Sequence, residues 1–404
     1  MEATENREIA TPRAASLKTE HPLEFSGQTG EFFGIWIVNI LLSILTLGIY
    51  SAWAKVRTKQ YFYGNTQLDG SAFEYTADPV RILKGRVLAV IALVAYSLVG
   101  EVWPNLSGIA FLVLMALLPA VIVMSQSFRM RNTRWRGIRF AFERDYLNAY
   151  RLFTPAILYV AVIVAIPFAV GLDFEVLENA ESQEDFFPES LKNYFIYTGI
   201  VFVIAGLLFP WWHRSLYTYL CNRGFYGRAR FSGHFLTKSF YGLYLKAFLI
   251  LVVAGLAVTL PTILLVSGGT LFAGAMDGGS KASWAVLLAF IPMLFLMVPY
   301  GLAFAYIQAQ RTNLIYGNLR LPELNITAEL ETLKIFGLYF TNTLAILLTL
   351  GLAVPWARIR TARYKLSRMH VLVSDFDHLT AGGSSDQNAL GEEVGEFFGL
   401  DLGL

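Results

Sequence analysis

The sequence is poor in charge and nearly without cysteine. Charged residues fill only 15% of its 404 positions, against 55% hydrophobic ones. An ordinary soluble domain carries about 25% charged and 45–50% apolar residues. That deficit excludes a disordered chain and argues against a soluble enzyme of this length. The lone Cys221 excludes an intramolecular disulfide and fits no metal-binding pattern. His213, His234, His370 and His378 do not fall at ligand spacing, so no metal is expected. Walker A, dinucleotide-binding, nucleophile-elbow and zincin motifs are all missing, so neither a cofactor nor an enzymatic activity is expected. A net charge of +2 points to no nucleic-acid partner. No apolar run follows a basic start, so no cleavable signal peptide is expected.

Long apolar runs dominate instead. A helix needs about 20 apolar residues to cross roughly 30 Å of hydrocarbon. Eight stretches lack Asp, Glu, Lys and Arg: 32–54, 87–100, 102–128, 152–172, 193–213, 247–276, 282–310 and 335–357. Proton-coupled carriers place an ionisable group within the bilayer, so these empty stretches argue against a proton-driven pump. Between them, basic loops alternate with acidic or neutral ones. Loop 129–151 has seven basic residues, whereas 173–192 has seven acids and only Lys192. Basic loops face the cytoplasm in most membrane proteins, which predicts that side for 55–86, 129–151, 213–246, 311–334 and 358–368.

The first and last stretches resemble each other. Residues 33–61 and 336–364 share 13 identities in 29 positions without a gap, among them Asn39 and Asn342, Thr46 and Thr349, and Gly48 and Gly351. Both copies end in a similar basic tail, at Trp53–Arg57 and Trp356–Arg360. Single spans would orient the two tails oppositely. Two readings stay open: plain spans with one terminus against the charge rule, or re-entrant segments that break near Thr-Leu-Gly and return. A second recurrence places glycines at 70, 137, 227 and 317 after Asn-containing segments. The Asp69-Gly70 pair is a hairpin signal, and short cytoplasmic hairpins that pair or lie on helix ends are expected.

The stretch from Phe25-Ser26-Gly27 through Leu45-Thr46-Leu47-Gly48 to Trp53-Ala54-Lys55-Val56-Arg57 resembles the YjgN-like family of bacterial inner-membrane proteins. So do Asn132–Phe140 and Gly391-Glu392-Glu393. The resemblance covers nearly the whole chain. It implies a multi-pass location in the bacterial inner membrane and brings no biochemical activity, because the family is one of unknown function.

The expected fold is an all-α polytopic membrane protein, a helical bundle of six to eight transmembrane segments with internal repeats and short β-hairpins. Residues 1–31 read as a polar segment, 32–370 as the membrane domain and 371–404 as an acidic flexible tail. The expected function is a transporter or channel for a small solute. Its alternative is a non-enzymatic membrane organiser that binds lipids and partner proteins through a basic cytoplasmic face. Pathway or helix-break candidates are Asn39, Thr46, Gly48, Asn342, Thr349 and Gly351, with Gln126 as a further buried amide. Anionic-lipid candidates are Arg129, Arg131, Arg134, Arg136 and Arg139. Membrane lipids are the expected partners, and the sequence does not identify a small-molecule ligand or a partner protein.

Overall fold

In the computed structural model, residues 19–172, 189–274, 280–322, 324–374 and 376 are described. Helical hairpins alternate with strands along the chain. Strand β1 (Thr19–Phe25) leads into helices α1 (Thr29–Leu45) and α2 (Ser51–Gly64), then β2 (Thr66–Leu68) and β3 (Ser71–Tyr75). The next unit is α3 (Pro79–Val102), α4 (Ser107–Arg131), β4 (Thr133–Trp135) and β5 (Ile138–Phe142). Helices α5 (Tyr146–Ala169) and α6 (Glu189–Asn222) precede β6 (Gly224–Tyr226), β7 (Ala229–Arg230) and β8 (Ser232–Gly233). Long helices α7 (Thr237–Gly274) and α8 (Ser280–Gly317) lead to β9 (Leu319–Leu321) and β10 (Leu324–Ala328). The last unit is α9 (Thr332–Leu348), α10 (Val354–Leu366) and β11 (Met369–Val373).

The strands do not remain separate hairpins. They form one antiparallel sheet in the order β7-β6-β5-β4-β3-β2-β1-β11-β10-β9-β8. First and last strands pair side by side, with Thr19 opposite Val373. The outer strands β7 and β8 are consecutive in the chain and separated only by Phe231. Phe231 donates its N–H to the Gly224 carbonyl at 2.9 Å. The chain itself therefore bridges the gap between the two edges, and the sheet curls into a nearly closed barrel. Every helical hairpin connects two strands that pair with each other. Antiparallel alternation then puts all five helical hairpins at one end of the barrel and the tight strand turns at the other.

This corrects the expected fold. The chain is not an all-α bundle of six to eight spans with only short hairpins, because an eleven-stranded sheet collects the segments between helices. The span expectation changes too. Stretches 32–54 and 335–357 are each broken into two shorter helices, at Thr46–Tyr50 and Thr349–Ala353. Among the described residues five helices are long and apolar enough to cross a membrane: Pro79–Val102, Pro104–Arg131, Tyr146–Ala169, Glu189–Asn222 and Thr237–Pro261. Their large apolar side chains lie mostly outward, as Val87, Ile91, Val94 and Leu98 on α3 do, which suits a lipid surround and not water. Residues 19–25 of the polar N-terminal segment form a central strand. The acidic loop 173–188 and the tail beyond Phe376 lie outside the described residues.

Both terminal breaks use the same local chemistry. The Thr46 hydroxyl donates to the Leu42 carbonyl at 2.7 Å and accepts the Tyr50 N–H at 2.9 Å. Thr349 does likewise with Ala345 at 2.7 Å and Ala353 at 2.9 Å. The turn needs two residues of positive φ, Leu47 (49°) with Gly48 (90°), and Leu350 (51°) with Gly351 (95°). Glycine meets that need at no steric cost, whereas leucine is strained there. Leu47 and Leu350 stand at the hairpin tips, each 95% exposed.

Candidate functional site

Strand side chains alternate between the two faces of a sheet, so each strand sends its alternate residues into the barrel. On β1, Leu23 turns in while Glu20 and Glu24 are exposed. On β11, Met369, Val371 and Val373 are buried in alternation. Leu68, Trp135, Tyr226, Leu321 and Leu324 complete the core of the lumen, with Phe73, Phe140 and Ile326 packed against them. An eight-stranded barrel is just wide enough to be filled by its own side chains. This sheet has more strands, and a cavity of about 450 Å³ remains. Ligand pockets are typically about 300–1,000 Å³.

The cavity is apolar and holds no charged residue in its lining. Three of its polar groups are engaged elsewhere. Thr66 and Thr133 donate to the Phe62 and Arg129 carbonyls, at 2.8 and 3.0 Å. The Tyr226 hydroxyl donates to the Trp135 carbonyl at 3.1 Å. Burial pushes the Tyr226 phenol up to about 12, so it stays neutral at every physiological pH.

The two ends of the chamber differ. At the helical end, Tyr63, Met130, Leu220, Cys221, Tyr316 and Leu366 form the rim. They come from the last turns of α2, α4, α6, α8 and α10, the returning helix of each hairpin. Asparagines tie some of these helix ends down: Asn65, Asn132 and Asn318 donate to carbonyls one turn back, at 2.7–2.8 Å. At the tight-turn end, Phe376 plugs the lumen edge-on to Trp135 at 5.2 Å. The Arg136 guanidinium lies over both rings, at 4.8 and 5.1 Å. Asp69 pairs with Arg136 and, at 3.2 Å, with His21. The chamber is thus closed by Phe376 and the Asp69–Arg136 ion pair on one side and rimmed by apolar helix ends on the other.

The residues singled out in the sequence sit elsewhere. The Asn39 side chain donates to the Ala54 carbonyl at 3.4 Å and to Thr58 at 3.5 Å, so it clamps α1 to α2. Asn342 clamps α9 to α10 through Ala357 at 3.3 Å and Thr361 at 3.1 Å. Thr46, Gly48, Thr349 and Gly351 build the hairpin tips, and none of these six lines the chamber. Gln126 is buried and accepts from Arg129 at 2.5 Å. The five arginines are dispersed. Arg129 and Arg131 lie in the last turn of α4, where cations complement the helix dipole. Arg134 sits on β4, exposed Arg139 on β5, and Arg136 in the turn between them. Cys221 is buried at the chamber rim. The chamber itself was missed by sequence reasoning; its only signal was the short alternation in Ile138-Arg139-Phe140-Ala141-Phe142 and its counterparts.

A second depression, of about 640 Å³, lies between α9, α10 and the start of α1. Lys334, Arg360, Arg363, Thr341 and Thr29 line it, with Trp356 toward the tip and Ser367 toward the barrel.

Comparison with known proteins places the chain. Residues 20–397 match the family described as "Bacterial protein of unknown function (DUF898)". The chain belongs to this family. It is similar to the inner membrane protein YjgN of Salmonella typhimurium, 32% identical over 149 residues, 36% of this chain and 38% of that protein. It is 30% identical over 124 residues to the YjgN proteins of Escherichia coli O157:H7 and K12, 30% of this chain and 31% of each. The aligned stretches thus span under two fifths of these relatives. No solved structure matches. Five described helices long and apolar enough to cross a membrane make this an integral membrane protein, and its relatives are named inner membrane proteins.

Proposed function

We propose that this protein is a non-enzymatic lipid-handling protein whose barrel chamber accepts one hydrocarbon chain of a membrane lipid. One observation carries the reading: an apolar cavity of about 450 Å³, free of charged lining, is bounded at one end by the last turns of five helical hairpins. Apolar surface left unfilled forfeits dispersion contacts and hydrophobic burial, roughly 25 cal/mol per Å². A lipid tail supplies both, and the surrounding bilayer is its reservoir. The reading takes the barrel as cytoplasmic, because the basic loops lie at its strands and helix ends. The solute-pathway reading finds less support, since the Asn39 and Asn342 amide N–H groups and the Thr46 and Thr349 hydroxyls donate within their own hairpins.

A cavity-filling variant tests the proposal. Leu321→Trp puts a larger side chain into the lumen. Wild-type protein purified in mild detergent should carry about one lipid per chain by native mass spectrometry, and Leu321→Trp should carry less at an unchanged melting temperature. Equal lipid occupancy in the two proteins would refute the chamber as the site.

A further inference from the structure

We infer that the depression between α9, α10 and the start of α1 is a binding site for a phosphate group. This site is separate from the barrel chamber, and the inference stands or falls independently of it. Arg360 and Arg363 lie three residues apart on α10, which puts both guanidiniums on one helix face. Lys334 at the start of α9 closes the opposite wall, and Thr29 adds a hydroxyl, while the Thr341 and Ser367 hydroxyls on the lining already donate to the Gly337 and Tyr364 carbonyls at 2.7 and 3.0 Å.

The charges of the two arginines are not neutralised from within. Among the described residues Arg360 donates to the Thr341 hydroxyl at 2.6 Å and to the Asn342 side-chain oxygen at 3.3 Å. Arg363 donates to the Gly27 carbonyl at 3.1 Å. These acceptors are all neutral. A guanidinium has five N–H donors in a planar fork that matches phosphate oxygens, so both retain donors for a ligand. Arg360 is also held over the Trp356 ring at 5.0 Å, which fixes its plane. Lys334 is shared with Glu331 at 2.7 Å on the exposed rim.

The matching hairpin lacks this chemistry. At the same offset, Glu31 stands for Lys334, Val38 for Thr341 and Gln60 for Arg363; only Arg57, for Arg360, keeps its charge. The same helical frame therefore occurs with and without the cationic lining, so hairpin architecture does not require it. Exposed Leu347, Leu348, Leu350 and Leu352 lie toward the tip beyond Trp356. The site thus sits between an apolar tip and the barrel, the depth at which phospholipid phosphates would lie if the tip enters the bilayer. A phosphorylated soluble ligand offers the same chemistry.

Full-length protein in dodecyl maltoside should be titrated with dioctanoyl phosphatidylglycerol, dioctanoyl phosphatidylcholine and inorganic phosphate, with thermal stabilisation as the readout. Stabilisation by phosphatidylglycerol alone identifies an anionic headgroup, and stabilisation by inorganic phosphate as well identifies a soluble ligand; both support the site. The Arg360→Gln/Arg363→Gln double variant should bind at least about tenfold more weakly, since both guanidinium forks and their charge-assisted hydrogen bonds to phosphate oxygens are lost. Arg57→Gln should bind as wild type. Where the double variant does not fold, Lys334→Gln on the exposed rim replaces it, with several-fold weaker binding expected. Unchanged affinity in the variant, or no stabilisation by any of the three probes, overturns the inference.

Discussion

At the residue scale, the chamber depends on a few side chains that do two tasks at once. Trp135 fills the lumen, donates its indole N–H to the Ser71 carbonyl at 3.1 Å and stacks under Arg136. Replacing it by alanine should cost about 3–5 kcal/mol, as large aromatic truncations do, and chemical unfolding in detergent would measure it. The turns are equally particular. Gly70 and Gly137 adopt φ of 68° and 75°, each after a residue that is itself left-handed, Asp69 at 50° and Arg136 at 48°. That pair of positive angles is the primed turn that matches strand twist. Gly137→Val should therefore lower the melting temperature and folded yield, whereas Ser51→Val should leave the barrel intact; equal melting would contradict this. Glycines 70, 137 and 227 were legible as turn residues because they stand within short alternating segments. Gly317 misled, since it ends helix α8 and the β9–β10 turn lies further along.

Helices and strands differ in how openly the sequence declares them. The five long apolar helices were readable because each is a continuous run with its own hydrophobicity. The breaks at Thr46–Gly48 and Thr349–Gly351 were readable as an alternative, through the repeated Thr-Leu-Gly. The sheet was not. Its strands are two to seven residues long, and each alone has too few alternations to distinguish it from a loop. Pairing across helical insertions is non-local information that no segment contains, and β1 looks polar because Glu20 and Glu24 face outward. One cap illustrates the coupling between elements. Asp145 caps α5 by accepting the Asn148 N–H at 3.0 Å, and Arg223 from the end of α6 meets it at 2.5 Å. The Asn148 backbone and side-chain hydrogen bonds, with Arg223 and Arg151 beyond, hold its carboxyl below the usual aspartate value. Its stabilising contribution is present above the unfolded value, about pH 3.9, and is lost as pH falls through the lower folded one. Asp145→Asn should thus reduce stability at neutral pH and flatten the acid limb of the melting-temperature profile; an unaltered acid limb would count against the cap.

For the whole molecule, the barrel ties every helical hairpin to a single side. Since β1 and β11 are neighbours and each hairpin returns to the sheet, reporters fused at the two ends of the chain should sense the same compartment. A fluorescent protein bright at one end with an active phosphatase at the other would break this topology. The pairing of Thr19 with Val373 also sets a schedule. Strand β1 leaves the ribosome first and β11 last, so the β11-facing edge of β1 stays bare while five helical hairpins and nine strands are made. An exposed edge invites pairing with another chain. Shortening the chain before Met369 would leave β1 and β10 each with a permanently bare edge, facing each other across the gap that β11 fills.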